Sequence, residues 1–133
     1  MKLVLDSSAA LRASSAPDAA SDLASHELIG PPLLWSEVYS AVHEALWRRE
    51  IDAVEARDVL DAFRGLGVRR KSSAALYSVA YQIAPELGWA KTYDAEFLAL
   101  ARLERSIVLT TDARFRRGAE RTGLVMDPSD LQP

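Results

Sequence analysis

The chain has 133 residues, is 49% hydrophobic and 26% charged, and carries a formal net charge of −3, which suits one globular domain with a real core. It has no cysteine, so disulfides, zinc–thiolate sites and cysteine nucleophiles are excluded, and its two histidines, His26 and His43, are too few for a His-rich metal site. No apolar run approaches a bilayer span, and a strand pattern that begins at residue 2 leaves no room for a leader, so a soluble cytoplasmic protein is expected.

Residues 2–5 (KLVL) are a short apolar run that ends at Asp6. Residues 7–14 can start a helix, and 17–27 are predicted as a second, with Pro17 suited to a first turn. Residues 28–32 (LIGPP) read as a short strand broken by Gly-Pro. Over 34–50, apolar residues at 35, 38, 42, 45 and 46 have helical spacing, with Ser36 as the N-cap. Further helices are predicted over 52–67, stopped by Gly65 and Gly67, over 72–84, ended near Pro85, and over 94–105. Residues 106–110 (SIVLT) are the clearest strand, apolar enough to be buried on both faces. A short basic helix over 113–121 and a last strand over 123–127 complete the chain.

Short apolar strands alternating with helices predict an α/β fold. The expected architecture is a three-layer sandwich, a short central parallel β-sheet flanked by helices, formed by residues 1–133 as one domain. Ligands of such sheets sit beyond the carboxyl ends of the strands, which is where Asp6 and Asp112 fall.

Asp6, Glu37, Asp94 and Asp112 each have a simple structural explanation. The aspartates suit helix N-caps or turns, and Glu37 suits the positive end of a helix dipole. Yet Ser7 and Ser8 follow Asp6, Thr92 precedes Asp94, and Thr110 and Thr111 precede Asp112, so hydroxyls for capping are already present. Glu37 lies between Ser36 and Val38, with Trp35 nearby, and needs a partner. Four converging carboxylates repel one another. A divalent cation relieves that, and an all-oxygen site selects Mg²⁺ or Mn²⁺. Other acidic-pocket enzymes fit worse. Position 8 is Ser where a haloacid dehalogenase needs a second Asp, VLTTD lacks the Lys of a phosphoaspartate receiver, and there is neither a Gly-rich phosphate loop nor a GxSxG setting.

The segments LDSSAAL (5–11), PPLLWSEVYSAV (31–42), TYDAEFLALA (92–101) and IVLTTDARF (107–115) together resemble the PIN domain. More narrowly they resemble the VapC-type ribonuclease toxins of bacterial and archaeal toxin–antitoxin pairs. The resemblance runs in order from residue 2 to about residue 127. It implies that Asp6, Glu37, Asp94 and Asp112 are the catalytic, metal-binding acids, that Thr110 supports them, and that Ser8 occupies the small polar position two after the first acid. The stretch APELGWAKTYDA departs from the family's usual run into its YDA motif.

The implied activity is Mg²⁺-dependent hydrolysis of RNA phosphodiester bonds, with Mn²⁺ as a possible substitute. A cognate antitoxin protein and a homodimer are the implied partners, and no membrane is involved. A nuclease of RNA processing without toxicity, or a silent scaffold that only binds a partner, are the alternatives. Of 16 cationic residues 13 are Arg, which suits phosphate recognition, although a GC-rich genome explains the bias equally well. Arg114, Arg117 and Ser8 are the expected RNA contacts, with residues 69–71 (RRK) either gripping phosphates or forming a solvated surface.

Overall fold

The computed structural model describes residues 1–131. Five strands, β1 (Lys2–Leu5), β2 (Glu27–Gly30), β3 (Arg69–Arg70), β4 (Ile107–Leu109) and β5 (Val125–Met126), form one sheet in the order β3-β2-β1-β4-β5. All four pairings are parallel. Leu3 lies beside both Leu28 and Ile107, and Val108 beside Val125. Leu3, Val4, Leu5, Ile29, Val108 and Leu109 are sealed from solvent, as expected of a parallel sheet covered on both faces.

Seven helices cover it: α1 (Ser7–Ser15), α2 (Pro17–Leu23), α3 (Pro32–Trp47), α4 (Ala53–Gly65), α5 (Ala74–Glu86), α6 (Tyr93–Leu103) and α7 (Ala113–Ala119). α1 packs on α2, α3 and α4, whereas α5 pairs with α6, which lies on β1 and β4. The chain winds outward from β1 through β2 to β3, then returns to β4 and winds the other way. With right-handed crossovers, this sends α1–α4 to one face and α5–α7 to the other. The direction reverses between β1 and β4, and a crevice opens at such a switch point.

The structure moves several predicted boundaries. α3 starts at Pro32 rather than 34, because a proline is tolerated at the first helical position. Pro31 is its N-cap residue and Ser36, inside the helix, caps nothing. The predicted helix 17–27 stops at Leu23, and Glu27 already belongs to β2. α5 carries Pro85 within its last turn instead of ending before it. β3 has no counterpart among the predicted strands: it is two exposed arginines at a sheet edge, with no apolar signal, and charge on an edge strand discourages further pairing. Its residues are engaged within the fold. Arg69 bonds Glu27 at 3.2 Å, and the Arg70 guanidinium lies 5.6 Å from the centre of the Trp35 ring.

The β2–α3 junction is tight. A Cβ at Gly30 would stand 2.5 Å from Cδ2 of Leu34, which is fully buried. Gly30→Ala should therefore overpack the first turn of α3 and cost about 1–3 kcal/mol, seen as a lowered midpoint in urea. An unchanged midpoint would show that α3 can shift freely against β2.

Candidate active site

Asp6 leaves the carboxyl end of β1, and Asp112 follows β4, its neighbour. The Asp6 N–H donates to the Leu109 carbonyl at 3.2 Å, extending the ladder by one step. Two hydroxyls then tie the strand ends together. Ser8 Oγ donates to Asp6 Oδ1 at 2.7 Å and accepts from the Thr111 N–H at 3.0 Å. Thr110 Oγ1, fully buried, accepts from the Asp112 N–H at 3.0 Å and lies 3.3 Å from Ser8 Oγ.

Both aspartates also cap helices, as their simplest structural explanation holds. Asp6 Oδ1 accepts from the Ala9 N–H at 2.9 Å, and Asp112 Oδ1 accepts from the Arg114 and Phe115 N–H groups at 2.9 and 3.2 Å. In each case these backbone bonds fall on Oδ1. A cap and a place in the site are thus compatible in one side chain. The flanking hydroxyls do not replace the acids as caps; those of Ser8 and Thr110 hold the acids' surroundings. The Ser8 hydroxyl, named as an RNA contact from the sequence, is here engaged with Asp6 and the Thr111 N–H.

Glu37 reaches the crevice from the second turn of α3, and Asp94 from the first turn of α6. Glu37, Asp94 and Asp112 line one cleft of about 620 Å³, together with Arg114, Trp89 and Tyr93. Asp6 is buried and does not line this cleft, though its charge acts on Glu37. Burial pushes the Asp6 carboxyl up, and Asp112 adds to this, against hydrogen bonds from Thr110, the Ala9 N–H and Ser8. Burial and then the Asp94 charge push Glu37 from its ordinary 4.5 to about 7, despite a hydrogen bond with Ser7, with Asp6 and Glu96 adding to the rise. Asp94 opens onto solvent, yet crowding by protein atoms, followed by the Asp112 charge, raises it too.

No neighbouring cation lowers any of these three groups. As the side chains stand, no three acids or histidines among the described residues are grouped closely enough to hold an ion. The donor chemistry nonetheless suits a hard divalent cation: carboxylate oxygens from four elements, mutually repelling, with no cation lowering Asp6, Glu37 or Asp94. Asp6, Glu37, Asp94 and Asp112 are the residues that would hold it.

Arg114 is in the cleft, whereas Arg117 is exposed but outside its lining. Arg116 is paired with Asp127 at 2.9 Å. Phe115 is buried, as its place on α7 predicts. Two features escape a reading of the sequence. Glu96, two residues after Asp94, is buried with 8% exposure and adds a fifth negative charge near Glu37; its signal is a charge between Ala95 and Phe97 in an apolar helix. The GWAK stretch is the other. The chain turns at Gly88, where φ is +71°, and Trp89 packs on Phe115 with ring centres 5.8 Å apart. Gly118 of α7 leaves room for that indole, whose nearest atom would be 3.4 Å from a Cβ there.

Two predictions concern the metal-free protein. The folded state binds the Glu37 proton more tightly than the unfolded chain, so this group's stabilising contribution is full below about 4.5 and is lost as pH rises towards 7. Asp6 and Asp94 act in the same direction. The melting temperature in chelator should accordingly fall between pH 5 and pH 8, and Glu37→Gln should flatten the fall. A rise over that range in the parent would show that the acids are compensated. At Asp6, Asn keeps the cap and removes the charge, so Asp6→Asn should melt at or above the parent, while Asp6→Ala loses the cap at about 1 kcal/mol. Equal losses in both would mean that the buried charge itself stabilises the fold.

Comparison with known proteins agrees with this geometry. The PIN domain family model matches residues 3–121. The VapC ribonuclease Mb0985 of Mycobacterium bovis and ribonuclease VapC9 of Mycobacterium tuberculosis are each 32% identical over 113 residues, covering 84% of this chain and 87% of theirs. Among solved structures, PAE2754 from Pyrobaculum aerophilum superposes with a TM-score of 0.73 at 16% identity, covering 97% of this chain and 90% of that one. A toxin–antitoxin complex from Klebsiella pneumoniae gives 0.70 at 16% identity, covering 97% and 99%. A parallel sheet in the order β3-β2-β1-β4-β5, acids at its switch point and a family match along most of its length place this chain in the PIN domain family.

Proposed function

We propose that the protein is a metal-dependent endoribonuclease that acts as the toxin of a toxin–antitoxin pair. The observation that carries the reading is the gathering of Glu37, Asp94 and Asp112 in one cleft, with the Asp6 charge acting on Glu37 from the end of β1, in a chain of the PIN family. The mycobacterial relatives are ribonucleases by name, which gives RNA as the substrate class. The similar Klebsiella fold belongs to a toxin–antitoxin complex, which supports an antitoxin partner. We take Mg²⁺ as the resident ion, with Mn²⁺ able to replace it, a homodimer as the working form and the cytoplasm as the location. No helix among the described residues is long and apolar enough to cross a membrane.

Each residue has a task that follows from its setting. Asp6 and Asp94 are the direct ligands. Asp6 is held by the Ala9 N–H and Ser8, and Asp94 by the buried body of α6 behind it. Glu37 and Asp112 complete the shell or orient water, and Thr110 fixes the Asp112 backbone. When bound, a divalent cation activates water and stabilises charge on the phosphate. Arg114, exposed at the rim, holds a phosphate of the RNA beside the acids. Glu37, with a pKa of about 7, can hold or release a proton at its carboxyl near neutrality.

Asp94→Asn should reduce cleavage of single-stranded RNA in Mg²⁺ to background while leaving the protein folded. The parent should gain stability by mass action in Mg²⁺ or Mn²⁺, about 2.7 kcal/mol at a hundred times the dissociation constant, and the variant should gain less. Cleavage that survives in Asp94→Asn, or a melting temperature indifferent to both ions, contradicts the proposal. For the toxin role, expression alone should arrest growth, and co-expression of a neighbouring antitoxin gene should relieve it.

A further inference from the structure

We propose that Lys91, Tyr93 and Arg114 form a nucleotide subsite in the cleft, in which the Tyr93 ring stacks on a base next to the bond that is cut. This rests on the ribonuclease reading and adds to it the residue that engages the base. Tyr93 stands directly before Asp94, lines the cleft and is 59% exposed. Its hydroxyl makes no hydrogen bond among the described residues, so nothing in the fold accounts for leaving a ring in water there. Other exposed aromatics, Tyr77, Tyr81 and Trp47, lie outside this cleft.

The backbone that carries the ring is fixed from behind. Ala95–Ala101 of α6 are buried without interruption, so the helix start cannot easily move. On the neighbouring wall, Trp89 is packed against Phe115 and the surface of Gly118, which joins the GWAK stretch to the helix bearing Arg114. Lys91 and Arg114 are both exposed, and neither forms an ion pair among the described residues. An exposed ring on a packed helix start, with two unengaged cations lining the same cleft, matches the needs of unpaired nucleic acid, a π-face for the base and positive charge for the backbone. The cleft, at about 620 Å³, is of the size that takes a small ligand such as a nucleotide. A base inside a duplex is already stacked and cannot reach Tyr93.

The test uses the cleavage-dead Asp6→Asn protein and a short single-stranded RNA carrying 2-aminopurine, with Kd and quenching of the base both measured. Tyr93→Ala should weaken binding about 5- to 150-fold and abolish the quenching, the range equivalent to one lost stacking contact. Tyr93→Phe should keep both, and the duplex of the same sequence should bind with no dependence on Tyr93. Unchanged affinity in Tyr93→Ala overturns the subsite. So does a loss in Tyr93→Phe as large as that in Tyr93→Ala, which would assign the contact to the hydroxyl. Unchanged RNA affinity with an altered sedimentation coefficient also overturns it and gives Tyr93 to a protein contact. The protein with Asp6 intact is assayed for cleavage in Mn²⁺ alongside. If it cleaves and Tyr93 is indifferent, the subsite alone fails; if it neither cleaves nor binds RNA, the ribonuclease reading fails as well.

Discussion

Burial of carboxylates, sharpened by their mutual repulsion, is the constraint on which the site depends. Asp6, Glu37 and Asp94 are all displaced toward their neutral forms, first by burial, and none is relieved by a nearby cation. A fold optimised for stability alone would place an apolar residue or an arginine among them. Here the repulsion is tolerated because the backbone leaves two of the acids little choice of position. Asp6 and Asp112 are each gripped through Oδ1 by N–H groups of the helix they introduce.

The folding pattern and the site are consequently the same set of hydrogen bonds seen twice. Parallel pairing of β1 with β4 sets Leu5 beside Leu109, and the ladder ends one residue later, where the Asp6 and Thr110 N–H groups make the last bonds across the sheet. Ser8 and Thr110 use their hydroxyls to close the gap between the departing segments. The two remaining acids come from helices on opposite faces, α3 and α6, and line one cleft. Glu37 illustrates the consequence: it carries the largest displacement, and its causes include acids from both β1 and α6.

Much of this was legible in the sequence. KLVL and SIVLT have the uniform apolar character of doubly covered strands, and each is followed closely by an aspartate, so the fold class and two corners of the site could be read locally. Glu37 and Asp94 could be picked out as acids in apolar settings, but that they meet was legible only through motif resemblance, since their convergence depends on crossovers that no local pattern encodes. β3 escaped because Arg69 and Arg70 carry no strand signal and pair only because β2 offers them an edge. The start of α3 was misplaced because Ser36 looked like a cap while Pro31 and Pro32 do that work by backbone restriction. Glu96 and Trp89 were passed over because their roles arise from tertiary neighbours, Glu37 for the one and Phe115 for the other.

If the four carboxylates form an anionic pocket that a divalent cation relieves, metal binding must release protons, because a ligand gives up its proton to coordinate. Calorimetric titration of Mn²⁺ into the protein at pH 7, in buffers of different ionisation enthalpy, yields the number of protons released. With Glu37 at about 7, release of about half a proton per bound ion is expected from that group, more at pH 6 and almost none at pH 8.5. Binding with no proton released at pH 6, or no binding at all, would show that the pocket is not relieved in this way.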